Sequence, residues 1–391
     1  MPIYWLWFSL LPDFSGRQKM MLLERIPDPE DIYQLRSYEG LGLTPQQVQA
    51  LSDKDLHLAQ TIEKICMRKG IGILTFSDEK YPHRLRNIDS PPLVLYYKGV
   101  LPDFDRQPMV GIVGTRKASA YGLNTARQFG KQIAFGGGVV VSGGADGVDS
   151  MALQGAMEAG GQTVTVLGCG VDITYPAKNR RLFMDLTENG CLISEYIPGD
   201  GPERWHFPAR NRIISGLSNG VLIVEAPEKS GALITAKDAL EQGRDVYVVP
   251  GNIDIPTCEG SNALLREGAV AAFSGWDILR EYQMLYPETV KEHKSQPRKP
   301  EIKAAQTVLL PQADKKDIDK QTVDAYSGKD DALTAEEKCI LACLDARPKP
   351  VDDVIAQVGE PAGRVLTVLT KLALKGMVIN HPGRLVSVRK Q

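Results

Sequence analysis

A turn with two basic residues lies between a predicted strand and a predicted helix in the first half of the chain. Residues 110–113 form a short β-branched run, and residues 114–117, Gly-Thr-Arg-Lys, follow it. Four apolar residues then recur with the spacing of one helix face, namely Leu123, Ala126, Phe129 and Ile133. The N-terminus of such a helix attracts anions, and Arg116 and Lys117 add two full positive charges. The pattern predicts an anion site of phosphate size.

A nicotinamide or flavin dinucleotide site is the main alternative for a turn of this kind. Gly111 and Gly114 do not have the spacing of the G-x-G-x-x-G fingerprint. The next predicted strand runs into Gly143-Gly144 without the acidic residue that holds the ribose hydroxyls in dinucleotide-binding folds. We therefore do not favour a dinucleotide oxidoreductase.

Similar turns follow other predicted strands, and each is poor in bulky side chains. They are residues 143–149, 168–172, 226–235 and 250–251. Such turns, opening onto helices, offer a row of backbone donors that suits phosphates along a chain. The basic residues near them are Arg116, Lys117, Lys178, Arg180, Arg181, Arg210, Arg212, Lys229 and Lys237. For any single turn, glycines that only allow tight strand-to-helix packing are the alternative.

The segment 207–215, Phe-Pro-Ala-Arg-Asn-Arg-Ile-Ile-Ser, is the most informative basic segment. Arg-Asn-Arg near a helix start is predicted to direct two forked cations and an amide toward the same edge. Trp205, His206 and Phe207 just before it offer a surface on which bases stack.

A regular alternation of strands and helices must position these turns. The predicted strands are residues 109–113, 138–142, 163–167, 191–195, 220–225 and 245–249. Such alternation predicts an α/β fold in which a parallel sheet is covered on both faces by helices. Ligands of these sheets gather at the carboxyl ends of the strands, which is where the turns lie.

Composition sets broad limits on the whole protein. The 391 residues, of which 43% are hydrophobic, predict two or three domains with buried cores. The net charge of −2 does not itself favour a nucleic-acid partner, so local clusters of Lys and Arg must carry that argument. The six cysteines have neither a C-x-x-C pair nor metal-ligand spacing, which indicates free thiols in a reducing compartment and no metal site.

The first eleven residues are apolar and aromatic. They lack the basic start of a signal peptide and are too few to span a bilayer, and no other segment comes close. We therefore expect a soluble cytoplasmic protein without a membrane association.

The regions on either side of the sheet are predicted to be helical. Residues 1–69 indicate short helices, at the start and at 16–26, 28–37 and 45–69, with Thr44 as N-cap and Pro45 as first helical residue. Two strands, 71–76 and 92–97, lead into the sheet. Near residue 290 apolar periodicity is lost, which predicts a flexible linker. Three helices (333–346, 351–358 and 361–376) and two strands (377–380 and 384–388) follow, a winged-helix pattern.

Taken in order, these motifs resemble the DprA/Smf family of bacterial DNA-processing proteins, over nearly the whole chain. The segments that carry the resemblance are 111–117, 142–149, 166–176, 193–196, 207–217, 224–226, 230–236, 248–251 and 260–262. The resemblance implies a small helical domain (1–69) of the SAM-like or helix-hairpin-helix-like kind, an extended Rossmann-like DNA-binding domain (70–285), a linker (286–331) and a winged-helix domain (332–391).

The resemblance also implies a function. Members of the family bind single-stranded DNA that has entered the cell during natural transformation, protect it and help to load the recombinase RecA, commonly as homodimers. They are binding proteins without cofactors rather than enzymes. The residues we expect to contact DNA are Gly114, Arg116, Lys117, Ser142, Gly143, Gly147, Lys178, Arg210, Asn211, Arg212, Ser230 and Lys237.

The sequence departs from the family pattern after the second strand of the sheet. Asp146 stands where the family has arginine, and Leu153 stands where it has histidine. A carboxylate at a turn that faces phosphate repels DNA. Either Asp146 points away from the DNA path, or affinity is weaker or depends more on Arg116, Arg210 and Arg212.

A nucleotide-processing enzyme of the phosphoribohydrolase type is the second functional class, because related sheets occur there. Those enzymes carry a Pro-Gly-Gly-x-Gly-Thr segment with a glutamate after it, and the corresponding residues 230–236 here have no such acid. Glu195 and Glu225, at strand ends, remain the candidate acid/base pair, and we interpret them as hydrogen-bond partners of the turns.

The C-terminal region has nine Lys and Arg against six Asp and Glu, a net charge of +3. Arg364, Lys371 and Lys375 are predicted to share one face of its third helix, which suits a duplex backbone. A small protein-interaction module explains the same pattern equally well.

Overall fold

The computed structural model describes residues 2–292, 334–345, 349–360, 362–375, 377–381 and 385–388. The chain forms two compact units, Met1–Glu301 and Ile302–Gln391. Most of the predicted linker, from residue 293 to residue 331, lies outside the described residues.

The first unit begins with five helices that pack around an aromatic core. They are α1 (Pro2–Leu10), α2 (Gly16–Arg25), α3 (Pro29–Gln34), α4 (Pro45–Ser52) and α5 (His57–Lys69). Trp5, Leu6, Trp7 and Phe8 of α1 are all buried, so the apolar N-terminal segment is a core helix. Thr44 caps α4 and Pro45 opens it, as predicted.

The prediction of one helix over residues 45–69 is wrong, because the chain breaks between α4 and α5. The Asp53 carboxylate accepts the backbone N–H of Asp55 at 3.1 Å, and the Asp55 carboxylate accepts that of His57 at 2.8 Å. Such local side-chain bonds to the backbone compete with the helix. The break leaves the Asp53 carbonyl free to accept the Trp7 indole N–H at 3.2 Å.

A nine-stranded sheet forms the centre of the first unit, in the order β1-β2-β6-β5-β4-β3-β7-β8-β9. The strands are β1 (Gly72–Thr75), β2 (Val94–Gly99), β3 (Met109–Val113), β4 (Val139–Ser142), β5 (Thr163–Val166), β6 (Gly190–Ser194), β7 (Gly220–Ile223), β8 (Asp245–Val248) and β9 (Val270–Ala271). From β6 to β9 all neighbours are parallel, which confirms the predicted parallel sheet.

Two strands at one edge and one at the other complete the sheet. β1 and β2 were expected as strands, and they join antiparallel beside β6. β9 was not predicted, because it has only two residues, too few for a periodic signal.

Apolar residues on both faces of the strands explain why the sheet is buried. In β4, Val139 and Val141 belong to the core cluster on one face and Val140 to the cluster on the other. Successive side chains of a strand point to opposite faces, so an unbroken valine run needs helices on both. The remaining helices of this unit are α6 (His83–Arg86), α7 (Ala120–Phe135), α8 (Val148–Glu158), α9 (Arg180–Leu186), α10 (His206–Leu217), α11 (Gly231–Glu241), α12 (Glu259–Arg266) and α13 (Gly275–Leu279).

The segment after the last helix of this unit still packs against the sheet region. Val290 is only 1% exposed. The Tyr286 hydroxyl accepts hydrogen bonds from Arg84 at 2.6 Å and from Asn219 at 3.1 Å. We therefore place the end of the sheet region no earlier than residue 290, whereas the sequence suggested residue 285.

The second unit contains three helices and a small antiparallel sheet. These are α14 (Ala335–Ala342), α15 (Val351–Val358) and α16 (Ala362–Leu374), with β10 (Lys349–Pro350), β11 (Val378–His381) and β12 (Leu385–Val388) in the order β10-β12-β11. Ile340, Val354, Val365 and Leu372 are buried in its core. This arrangement confirms the winged-helix prediction. Across the described ranges of both units, no helix has the length and apolar character needed to cross a membrane.

Candidate nucleic-acid interface

An open cavity of about 540 Å³ lies at the carboxyl ends of β3, β4 and β7, and we call it the strand-end cleft. From β3 the chain proceeds to β4, β5 and β6 on one side, and it then returns through α10 to β7 on the other side of β3. The cleft therefore lies at the topological switch point, where ligands of such sheets bind. The loop after β3, the loop after β4, α10 and the start of α11 line it.

Arg116 and Lys117 lie exposed at the mouth of the cleft. The Arg116 guanidinium lies over the Phe207 ring, 5.4 Å from its centroid. The Tyr175 ring packs against the same ring, with 5.4 Å between the two ring centroids. Tyr175 is 39% exposed, so an aromatic surface adjoins a cation at the mouth. Gly114 lies beneath them, where an added Cβ would be 2.6 Å from the Val148 side chain.

The helix that opens into the cleft is α11 and not α7, contrary to the sequence prediction. At the start of α7 the buried Glu225 carboxylate accepts the Ser119 backbone N–H at 2.9 Å and the Ser119 hydroxyl at 2.5 Å. An internal carboxylate thus occupies the predicted anion site. At α11, Ser230 is the N-cap and accepts the Ala232 N–H at 3.3 Å, while no heavy atom lies near the missing side chain of Gly231.

Buried hydrogen bonds stabilise the turn after β4. The Ser142 hydroxyl is fully buried and donates to the Ile112 carbonyl at 2.7 Å, so a direct contact of this side chain with DNA is not supported. Gly143 is also buried and donates its N–H to Asp149 at 3.1 Å. Gly147 has a φ of +83°, and a Cβ there would lie 2.5 Å from the Thr115 carbonyl oxygen.

Arg210 forms part of the floor of the cleft and is only 5% exposed. Its guanidinium donates to the Gly143 carbonyl at 2.8 Å and to the Val166 carbonyl, which ties β4 to β5. Burial raises the pKa of the neighbouring Asp149 carboxyl to about 6, although Arg210 and backbone donors act in the opposite direction. Asn211, 8% exposed, donates to the Gly231 carbonyl at 3.2 Å and so joins α10 to α11.

Arg212 does not face the strand-end cleft, so the predicted common edge for Arg210 and Arg212 is wrong. Residues two apart on a helix point about 200° away from each other. Arg212 instead forms an ion pair with Glu195 at 2.5 Å and lines a different cavity. α10 begins at His206, so Arg210 is already in its second turn.

Asp146 is paired within the protein. Its carboxylate lies 2.8 Å from the Lys178 ammonium, and its other oxygen is buried without a hydrogen-bond partner in the described structure. Arg116, Phe207 and Arg210 line the same small cavity of about 60 Å³. Asp146 therefore adjoins the cleft. Its carboxylate is paired with Lys178, one of the lysines predicted to contact DNA.

Three further predictions concerned side chains around the cleft. Leu153 is fully buried in the core. His206 is 2% exposed and stacks on Tyr196 at 3.7 Å, so its expected role in base stacking is wrong, whereas Trp205 is 65% exposed. Lys237 is exposed on α11 and pairs with Glu241 at 3.6 Å.

The two glutamates considered as an acid/base pair have separate roles. Glu225 bonds to the turn before α7, as interpreted from the sequence, and also accepts the Thr257 hydroxyl at 3.2 Å. Glu195 pairs with Arg212 beside another cavity. Within the part of the chain that the structure describes, no cluster of His, Cys, Asp or Glu has the geometry of a metal site.

Comparisons with known proteins agree with this architecture. The family model described as DNA recombination-mediator protein A matches residues 72–283, and the DprA winged helix domain model matches residues 326–384. This chain belongs to the DprA/Smf family. The Smf protein of Synechocystis sp. is 37% identical over 320 residues, covering 81% of this chain and 80% of that protein.

Two solved structures of DprA proteins are similar to this one. The X-ray structure of DprA from Streptococcus pneumoniae has a TM-score of 0.60 and 34% identity, covering 74% of this chain and 98% of that chain. DprA from Helicobacter pylori has a TM-score of 0.50 and 30% identity, covering 55% and 97%. The latter structure is described as giving insights into a unique single-stranded DNA binding mode.

The cations predicted for a duplex in the winged-helix unit are largely paired within that unit. Arg364 lies 2.9 Å from Glu336 and 3.5 Å from Glu360. Lys375 lies just after the end of α16 and contacts Glu337 at 2.7 Å. These pairs weaken the case for duplex binding by this face.

Proposed function

We propose that this member of the DprA/Smf family binds single-stranded DNA along the strand-end cleft. The observation that carries the proposal is the mouth of the cleft, where exposed Arg116 and Lys117 stand beside the aromatic pair Phe207 and Tyr175. Lys229, which is exposed and also lines the cleft, adds a third cation just before the start of α11. The described binding mode of the Helicobacter pylori relative supports the same ligand.

Aromatic rings beside cations favour a single strand over a duplex. Unpaired bases expose faces that stack on Phe207 and Tyr175, whereas a duplex hides those faces within its own stack. Arg116, Lys117 and Lys229 attract the backbone without regard to sequence. Little sequence dependence is therefore expected.

The finer functions follow from family membership. We propose that the bound strand is protected and presented to RecA during DNA uptake and recombination, that the protein acts in the cytoplasm as a homodimer, and that it is not an enzyme. The two candidate carboxylates support the absence of hydrolytic chemistry. Glu225 is hydrogen-bonded to Ser119 and Glu195 is paired with Arg212, so neither faces the strand-end cleft with a free oxygen.

Fluorescence anisotropy with labelled single-stranded and duplex oligonucleotides of equal length tests the ligand. We expect tighter binding of the single strand over a series of salt concentrations. Equal or tighter binding of the duplex contradicts the proposal.

Two matched variants test the location of the binding surface. Arg116→Ala removes one phosphate contact and reduces the slope of log affinity against log salt by about 0.7 on a single strand. Lys131→Ala makes the same charge change at an exposed position of α7 outside the cleft and leaves the slope unchanged. Equal slopes for both variants contradict the cleft as the DNA path.

A further inference from the structure

A small pocket of about 60 Å³ adjoins the mouth of the strand-end cleft, and we call it the side pocket. Its walls come from the turn after β4, from residues 175–176 and from the start of α10. Arg116, Phe207 and Arg210 line both the side pocket and the cleft. A strand that follows the mouth of the cleft therefore passes the side pocket.

Arg210 carries an unused hydrogen-bond donor and is only 5% exposed. Its Nε donates to the Asn211 side chain at 3.3 Å, and its Nη1 donates to the carbonyls of Gly143 and Val166. Nη2 makes no hydrogen bond in the described structure, and it is not one of the unpartnered atoms that are sealed from solvent there. Donors of a buried charged group are nearly always satisfied, so the free Nη2 indicates an acceptor that the protein itself does not supply.

The free donor lies on the side of Arg210 that faces Gly143. A Cβ added at Gly143 would be 2.6 Å from Nη2. Gly143 lines the side pocket and does not line the strand-end cleft. We therefore place Nη2 at the side pocket, where the glycine at position 143 leaves the space beside it open.

The size and chemistry of the side pocket suit the edge of one nucleobase. Phe207 and Tyr175, with ring centroids 5.4 Å apart, provide aromatic surface against which a base packs. A volume of about 60 Å³ holds roughly four to six water-sized groups at about 10–15 Å³ each, which is too little for a sugar and phosphate as well. Asp146 also lines the pocket, and its carboxylate disfavours a phosphate there.

We propose that the side pocket receives the edge of one base of the bound single strand, whose carbonyl oxygen accepts a hydrogen bond from Nη2 of Arg210. This inference rests on the proposed function, because the strand must first lie in the strand-end cleft. Thymine, cytosine and guanine carry such a carbonyl and adenine does not, so the pocket favours the first three at one nucleotide of each binding site. Elsewhere along the strand the sequence dependence stays small.

Two oligonucleotides of equal length test the hydrogen bond in the full-length wild-type protein. One is oligothymidine, and in the other 2,4-difluorotoluene, which has the shape of thymine without its carbonyl groups, replaces every base. Their phosphate backbones are the same, so phosphate contacts do not distinguish them. We expect oligothymidine to bind about tenfold or more tightly in anisotropy titrations, because the analogue leaves a buried charged donor unpaired. Equal affinities overturn the proposal.

The same titrations separate this proposal from the proposed function. Equal affinities for the two oligonucleotides, with Arg116→Ala still reducing the salt dependence of both, leave DNA binding in the cleft intact and remove only the base pocket. If neither oligonucleotide binds, the proposed function and the base pocket are both wrong.

Three variants locate the donor. Arg210→Lys keeps the positive charge and removes Nη2, while Ala145→Leu adds bulk at a half-buried position that lines the side pocket. Each is expected to bring the ratio of the two affinities close to one. Lys117→Met, which changes the cleft outside the side pocket, lowers both affinities and keeps the ratio. A folded Arg210→Lys protein with the wild-type ratio overturns the proposal. If Arg210→Lys does not fold, Ala145→Leu and the wild-type ratio decide.

Discussion

At the scale of single residues, the Asp146–Lys178 pair bears directly on the proposed DNA binding. The carboxylate of Asp146 lies 2.8 Å from Lys178, so it satisfies the charge of a lysine that would otherwise be available to phosphate. If Lys178 contacts DNA as proposed, DNA competes with this internal carboxylate. The sequence left open whether Asp146 points away from the DNA path or weakens the affinity, and it did not indicate which cation the carboxylate would pair with.

The Asp146→Asn variant is expected to bind single-stranded DNA more tightly, because it releases Lys178. One additional phosphate contact steepens the slope of log affinity against log salt by up to about 0.7, and Asp146→Arg, which adds a cation as well, steepens it further. Asp31→Asn, an exposed position of α3, is the control. Anisotropy titrations that give one slope for all four proteins would show that this turn does not face DNA.

Asp149 makes a pH-dependent contribution to stability. Its pKa of about 6 in the folded protein lies above the ordinary value of 3.8. The folded state therefore binds the proton more tightly, so this contribution is fully present below pH 3.8 and is lost as the pH rises through about 6. Asn at this position has no such titration.

We expect the free energy of unfolding of the wild type, relative to Asp149→Asn, to fall between about pH 4 and pH 7, by at most roughly 3 kcal/mol. Urea unfolding of both proteins across this range measures the difference. A difference that grows with pH would mean that Arg210, which lowers the pKa of Asp149, outweighs the effect of burial.

At the scale of helices and strands, the sequence predicted which elements form better than it predicted where their side chains point. The β-branched runs identified the six central strands, because strands buried on both faces are continuous apolar segments. The sequence did not identify the direction of the side chains on α10. That direction depends on where the helix begins, and its first residue is His206. Glu225 was likewise not placed at the start of α7, because its contact with Ser119 joins residues 106 positions apart.

The contact between α7 and α8 depends on two glycines. An added Cβ at Gly155 of α8 would lie 2.0 Å from the Arg127 carbonyl oxygen, and one at Gly130 of α7 would lie 2.0 Å from the Ala152 carbonyl oxygen. No side chain fits at that distance, so the two helices pack backbone to backbone.

Gly155→Ala is expected to destabilise the first unit by about 1–3 kcal/mol, because the helices must separate. The better helix propensity of alanine, worth up to about 1 kcal/mol, does not offset this. Gly231→Ala is the control, since no heavy atom lies within 4 Å of its added Cβ. Urea unfolding midpoints that are equal for the two variants would contradict the close packing.

At the scale of the whole molecule, the sequence predicted three folded regions, whereas the N-terminal helices and the sheet lie in one compact unit whose core includes residues beyond the predicted boundary at residue 285. The loss of apolar periodicity near residue 290 predicted a linker, and the predicted sheet domain ended at residue 285. Tyr286 and Val290 nevertheless pack against the sheet region, and the Lys291 N–H donates to the Gly136 carbonyl at 3.4 Å. A few anchoring residues within a polar segment give no periodic signal, so only the tertiary contacts identify them.

Two fragments test where this region ends. Residues 1–292 are expected to fold without the second unit and to bind single-stranded DNA with the salt dependence of the full chain, because the strand-end cleft lies wholly within the first unit.

The shorter fragment, residues 1–285, lacks the buried Val290, whose burial is worth about 1.5–3 kcal/mol. It also lacks the Tyr286 hydroxyl, which accepts hydrogen bonds from Arg84 and Asn219, each worth about 1 kcal/mol. The shorter fragment should therefore unfold at lower urea concentration. Equal midpoints would show that residues 286–292 contribute nothing to the fold, and loss of DNA binding by the longer fragment would show that the second unit is part of the binding surface.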